Sequence, residues 1–298
     1  MKCTPPAKCC SRRLFQEVAG MANHDAGRAL WAYGLALISG MACLVVLELS
    51  RSANGETLQQ YGAGPSKGMW GEHTAPIDWC ETNYAITRYV AEWWNTTSCV
   101  AYVVAALLAV RIPCRSTASG LLALYAWLLA MTGIFSALFH GTLWWWGQKL
   151  DEVAETATLV ALLHMPHSDA LRRTVLHATL AAAGIIIVPV AFCEVHLVAT
   201  ILCLLRILHR EIGRLKSANM LWWRGQRAAL SGLVGFGCWL VDKAACSSLP
   251  TVNQTLQLHA WWHVMTAMAL YHAVGAMVVV MDSSSVPPTR TTTTDRLR

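Results

Sequence analysis

Residues Ser116 to His140 read STASGLLALYAWLLAMTGIFSALFH, and this stretch decides how the chain folds. From Ser116 to Phe139 it holds no Asp, Glu, Lys or Arg. A helix needs about 20 mostly apolar residues to cross the hydrocarbon core of a bilayer, so the stretch reads as a membrane span. It closes on two polar residues, Ser136 and His140, at i and i+4, which project from one face of a helix.

The rest of the chain extends the pattern. Hydrophobic residues make up 55% of 298 positions and charged residues only 13%, against about 25% charged in soluble proteins. Charge-poor stretches recur at 29–47, 93–110, 152–167, 174–193, 194–208, 228–245 and 259–281. Together with 116–139 they predict an all-α, polytopic transmembrane helix bundle, a seven-helix core plus an extra N-terminal span. Residues 1–69 form an N-terminal extension with a candidate transmembrane helix at 29–48 and a luminal linker. Residues 70–282 form the seven-helix domain, and 283–298 a Ser/Thr/Pro-rich disordered tail. The apolar core of the first span exceeds the 7–15 residues usual in a cleaved signal peptide, which favours a retained helix.

The formal net charge is +6. No phosphate-binding glycine loop and no nucleic-acid module accompanies it, so the basic residues read as topology signals. With the N-terminus cytosolic, alternation places Arg111, Arg115, Arg172, Arg173 and the run Arg206, Arg210, Arg214, Lys216, Arg224 and Arg227 in the cytosol. The C-terminal Arg290, Arg296 and Arg298 follow them there. The sequon at Asn253 is then luminal and a glycosylation candidate; the sequon at Asn95 sits at the mouth of a helix and is disfavoured. The Cys residues lack a paired framework and read as small apolar side chains, with Cys3, Cys9 and Cys10 as candidates for acylation.

A charged side chain at the centre of a membrane helix costs about 2.5–3.5 kcal/mol, so the polar groups inside the spans point to function. Ser136 and His140 close the third span. Asp151, Glu152 and Glu155 open the fourth, where the helix dipole alone would favour an acid in the first turn. His259 and His263 open the last span at i and i+4, a spacing that lets one helix face grip a metal. HxxxH alone is weak evidence; topology strengthens it by placing His140, Asp151, His259 and His263 at one luminal depth. Three imidazoles with an open position make a catalytic zinc arrangement, and a carboxylate beside it can accept a proton. His272 falls on the opposite helix face from His263. Trp144–Trp146 reads as an interfacial aromatic belt. His164, His167, His177, His196 and His209 read as ordinary helix or interface histidines.

At these residues the sequence resembles the alkaline ceramidases, seven-helix membrane hydrolases, from about Trp70 to Met281. The resemblance is carried by Ile77-Asp-Trp-Cys-Glu-Thr-Asn-Tyr84, Ala91-Glu-Trp-Trp-Asn-Thr96, Ser136-x-x-x-His140, Asp151-Glu152 and His259-Ala-Trp-Trp-His263. It implies that His140, His259 and His263 hold Zn2+, that Asp151 handles the water's proton, and that Ser136 steadies the oxyanion. It implies a Ca2+ site from Asp78, the Trp79 carbonyl, Glu81, Asn83 and Glu92, and a disulfide between Cys80 and Cys246. Trp239 and Asp242 match a WxxD element, with Asp242 as a structural carboxylate. The implied reaction hydrolyses ceramide, drawn from the bilayer, to a sphingoid base and a fatty acid. The implied residence is the endoplasmic reticulum or Golgi, with no nucleic-acid partner. The long N-terminal extension departs from the family pattern. Related readings are a hydrolase that removes acyl chains from glycolipid anchors and a zinc-containing adiponectin-receptor-like protein; the DWCExNY segment argues against both. A receptor or transporter with a structural metal would hold the ion without turnover. A purely structural membrane protein would leave Ser136, Asp151 and the histidines without purpose.

Overall fold

The structure, a computed structural model, describes residues 68–114, 119–167, 169–187, 191–212, 218–246, 248 and 255–284. The candidate span 29–48, Cys3, Cys9, Cys10, the Asn253 sequon and residues 285–298 lie outside the described residues. The described chain is helical, with no strand beyond two isolated bridges. A loop over residues 68–92 leads into α1 (Trp93–Ser98) and α2 (Val100–Ala109). Then follow α3 (Ser119–Thr142), α4 (Trp145–His164), α5 (Ala170–Ile187), α6 (Ala191–Ile212), α7 (Ala218–Ala245) and α8 (Leu258–Ser284).

Three of these helices are long and apolar enough to cross a membrane: Gly120–Thr142, Asn219–Ala245 and Leu258–Ser283. Trp93–Ala109 is a shorter apolar stretch. The others are diluted by polar residues for a reason visible in the packing. Helix α4 touches α3, α5, α6 and α8 and buries most of its length, including Gln148, Lys149, Thr156 and Thr158. A helix sheathed by other helices has little lipid to face, so its polar side chains find partners instead. Lys149 Nζ, for example, pairs with Glu152 at 2.7 Å. Outward-facing leucines do the opposite: Leu202, Leu230 and Leu233 are 60%, 65% and 70% exposed, a surface suited to acyl chains rather than water.

Several boundaries differ from the sequence reading. Helix α7 begins at Ala218 rather than 228, because Arg224 and Arg227 sit inside it. Helix α5 ends at Ile187 and α6 starts at Ala191, ahead of the expected 193/194. Helix α8 runs to Ser284 and so absorbs the first residues of the expected tail. Helix α4 starts at Trp145, so Asp151 lies well past the first turn, which carries no acid. The helix-dipole account of Asp151 therefore fails. Nor is Trp144–Trp146 simply a belt: Trp145 is buried against Leu150, with Phe135 and Leu138 beside it.

The site end of the bundle is set by short connections. Leu143 joins α3 to α4 in the left-handed region, φ 54°. Its N–H reaches Phe139 O at 2.6 Å, and its carbonyl accepts the N–H groups of Thr74 and Ala75, both at 3.0 Å. Its side chain is fully buried with Ala75, Trp79, Ala91 and Phe139. The 68–92 loop is pinned to the end of α3 by further bonds: Ala91 N to Gly141 O at 2.9 Å and Glu92 N to His140 O at 3.0 Å.

Candidate metal centre

His140 comes from the last turns of α3, and His259 and His263 from the first turns of α8. One ring nitrogen from each lies within 4.8 Å of the others. All three residues are buried, at 1%, 4% and 2% exposure. The expected i, i+4 grip of α8 is thus completed by a third imidazole from another helix.

Two of the three rings have a nitrogen held by a protein group. His140 Nδ1 donates to the Glu92 carboxylate. A carboxylate behind a histidine fixes its tautomer and leaves Nε2 as the ligand. His263 Nδ1 lies 2.8 Å from Ser98 Oγ and 3.2 Å from the Asn95 carbonyl; a carbonyl only accepts, so Nδ1 carries the proton there too. A helix break supplies that carbonyl. At Cys99, between α1 and α2, the backbone N–H turns to Thr97 O, which leaves Asn95 O open to side-chain donors. The Ser98 hydroxyl and the Cys99 thiol also donate to it, at 2.9 and 3.0 Å. His259 stacks on Trp79, with ring centroids 3.8 Å apart. Its Nδ1 is buried without a hydrogen-bond partner, which costs about 1–3 kcal/mol if nothing satisfies it. Buried, converging imidazoles with one unsatisfied nitrogen fit a soft-to-borderline divalent cation, and three nitrogen ligands are the catalytic zinc set.

Ser136 and Asp151 come together as a pair, Ser136 Oγ donating to Asp151 Oδ2 at 3.2 Å. The buried Cys99 thiol stands 3.6 Å from His263 Nδ1.

The loop carries a second group. Asp78, Glu81 and Glu92 are buried together. Asn83 Nδ2 donates to both Asp78 oxygens, at 3.0 and 3.1 Å, while Asn83 Oδ1 is buried without a partner. Glu81 accepts the N–H groups of Trp94 and Asn95 at 2.7 and 2.9 Å, so it caps α1 from the loop and satisfies two otherwise free donors. Glu92 accepts from Trp79 N at 3.0 Å and Asn95 Nδ2 at 3.1 Å. Burial, and then the nearby Asp78 and Glu81 charges, push the Glu92 carboxyl well above the usual range. Burial likewise raises Glu81. Clustered buried carboxylates and an orphaned amide oxygen fit a hard cation such as calcium. Glu92 belongs to both groups, since it touches the loop and His140 alike.

Cys80 and Cys246 form a disulfide, with Cα atoms 5.4 Å apart. Asp242, 2% exposed, accepts Cys80 N at 3.3 Å, which makes it a structural carboxylate joining α7 to the loop. Asn95 is 1% exposed, with its amide on Glu92, so its sequon is closed to modification. Sequence reasoning missed Ser98 and Cys99. The run Asn95-Thr-Thr-Ser-Cys99, which interrupts an apolar helix, was the available signal. It also missed that His164, His177 and His196 touch one another: Nε2 of His164 lies 3.1 Å from Nδ1 of His177, whose Nε2 lies 3.0 Å from Nε2 of His196.

A family model described as Ceramidase matches residues 71–294. The mouse protein "Alkaline ceramidase 3" is 27% identical over 235 residues, covering 69% of this chain and 83% of the relative. "Alkaline ceramidase YPC1" of Saccharomyces cerevisiae is 27% identical over 245 residues, 68% of this chain and 76% of the relative. "Alkaline ceramidase" of Arabidopsis thaliana is 31% identical over 220 residues, 69% and 83%.

Proposed function

Because the chain belongs to the ceramidase family, we propose that it is a bilayer-embedded, zinc-dependent hydrolase of the ceramide amide bond. The observation that carries this reading is the convergence of His140, His259 and His263 within 4.8 Å, next to the Ser136–Asp151 pair.

His140, His259 and His263 would hold the ion. Zinc, when bound, supplies Lewis acidity that acidifies water towards a pKa of ~7 and polarises a carbonyl. The chain's own groups do the rest. Asp151 takes the proton from the attacking water as its oxygen bonds to the amide carbon. Ser136 donates a hydrogen bond to the carbonyl oxygen as negative charge gathers there. The C–N bond then breaks, and Asp151 returns the proton to the leaving nitrogen. The products are a fatty acid and a sphingoid amine. Glu92 holds the His140 ring through Nδ1, and the Asn95 carbonyl holds His263. Asp78, Glu81, Asn83, Glu92 and the Trp79 carbonyl would hold calcium, which neutralises the carboxylates and keeps Glu92 in place behind His140. Ceramide is an acyl lipid, so a site reached from the membrane suits it.

The test is purification of the full chain in detergent, with bound zinc measured and ceramide cleavage followed with and without calcium. The expected result is about one zinc per chain and cleavage that disappears in His259→Ala. Asp151→Ala should keep its zinc and lose about 10²–10⁴ in rate. Full activity in His259→Ala would defeat the metal assignment. Stoichiometric zinc with no cleavage of any lipid amide would favour a receptor instead.

A further inference from the structure

The far end of the α7–α8 pair carries a second polar feature, unrelated to the hydrolytic site. Near its start α7 reads Trp222-Trp223-Arg224, with Arg227 one turn on. Met220, Trp222 and Trp223 are 53%, 52% and 44% exposed, as apolar and indole side chains are at the headgroup level of a bilayer. Arg224 instead enters the seam with α8. Gly275 admits it, since a Cβ there would stand 1.9 Å from Nη1 and 2.6 Å from Cζ. Tyr271, one turn earlier on α8, has its ring centroid 5.9 Å from Arg224 Cζ. Arg227 Cζ lies 3.7 Å from the Trp223 ring centroid, and His272 meets the same indole edge-on at 5.9 Å.

Among the described residues the charge in this group is uncompensated. Arg224 Nη1 is buried with no hydrogen-bond partner, and so is His272 Nδ1. Neither arginine is ion-paired to a carboxylate among the described residues. A guanidinium keeps its charge under all ordinary conditions. Cation–π contacts return only about 0.5–2 kcal/mol, while an unpaired charge at the edge of the hydrocarbon is costly. Depth identifies the missing counter-charge. The span Asn219–Ala245 has 27 residues, roughly 40 Å at 1.5 Å per residue, against a hydrocarbon core of ~30 Å. Arg224 therefore stands about where the hydrocarbon meets the phosphates. We infer that Arg224, with Arg227 and His272, binds the phosphate of an anionic phospholipid whose acyl chains lie along the exposed Trp222 face. A free phosphate would leave that apolar face bare. The site is about 18 Å along α8 from His263, towards the other membrane face, so lipid binding and hydrolysis are separable.

The experiment uses the full chain in a neutral detergent mixed with equal amounts of phosphatidylglycerol and phosphatidylcholine, with retained lipid counted by native mass spectrometry. Wild type should retain phosphatidylglycerol over phosphatidylcholine by about thirtyfold, the scale set by roughly 1 kcal/mol for each of the two arginines near an anionic surface. Arg224→Gln and Arg227→Gln should each cut the ratio about fivefold, and the double variant should bring it close to parity. Arg206→Gln, an exposed member of the same basic run on α6, and His259→Ala should leave it unchanged. Should Arg224→Gln fail to fold, the more exposed Arg227→Gln carries the test alone. Parity in wild type, or an undiminished ratio in the folded arginine variants, overturns the site. Displacement of the lipid by inorganic phosphate at equal concentration would make it a free-anion site and also overturn it.

Discussion

Two groups of three histidines stand in this bundle, and they behave as opposites. In the first, His140, His259 and His263 aim one nitrogen each at a common point, and two of the outer nitrogens are taken by Glu92 and the Asn95 carbonyl. In the second, His164, His177 and His196 come from α4, α5 and α6 and lie in a line. His177 uses Nδ1 on one side and Nε2 on the other. The two nitrogens of an imidazole point in divergent directions, so no single ion takes both. Number of histidines is thus a poor guide to a metal site; what counts is whether nitrogens converge and whether acceptors hold the rings from behind.

The comparison breaks most visibly in metal content. His263→Ala should lose bound zinc and activity together, whereas His177→Ala should retain both. Zinc loss in His177→Ala, measured by elemental analysis, would erase the distinction. A smaller effect sharpens the role of the groups behind the rings. Glu92→Gln keeps the shape but removes the charge beside His140, and should weaken zinc affinity by about 10–100-fold in a competition assay with a chelator. A pure loop role for Glu92 predicts unchanged affinity.

The carboxylate loop gives a pH signature. Glu92 and Glu81 are both raised above the usual carboxylate range. A raised acid binds its proton more tightly folded than unfolded. Its stabilising contribution is therefore full below the unfolded value and lost as pH climbs through the folded one. Calcium-free protein should accordingly melt at lower temperature near pH 8 than near pH 5, and added calcium should recover the loss. A melting temperature indifferent to calcium at both ends would remove the ion from the loop. The smallest expected effect belongs to the linear chain. His177→Ala should cost about 1–3 kcal/mol of stability through lost bonds on both sides, read as a shift in melting temperature with zinc content unchanged.

Much of the helical core was legible because lipid imposes a one-dimensional rule on sequence: long charge-free runs such as 116–139 have few alternatives. The rule blurs where helices shield one another, which is why α4 hides Gln148 and Lys149 and why α7 begins ten residues early in spite of its arginines. Ser136, His140, Asp151, His259 and His263 could be named because each breaks an apolar run at helical spacing. Ser98 and Cys99 could not. Their importance depends on a helix break that exposes the Asn95 carbonyl; the polar run at 95–99 marks the place but not the routing of its backbone hydrogen bonds.

From sequence alone come the membrane character, the helical periodicity and the identity of the polar residues, since these follow from local hydropathy and i, i+4 geometry. The Cys80–Cys246 bridge and the meeting of His140, His259 and His263 were implied by the family resemblance and are formed in the fold; tertiary structure alone decided that Glu92 backs His140 and that the second histidine trio strings out. Those outcomes depend on how helices distant in the chain rotate and pack against one another, and a ring's two nitrogens acquire different roles only after that packing has set what stands on either side.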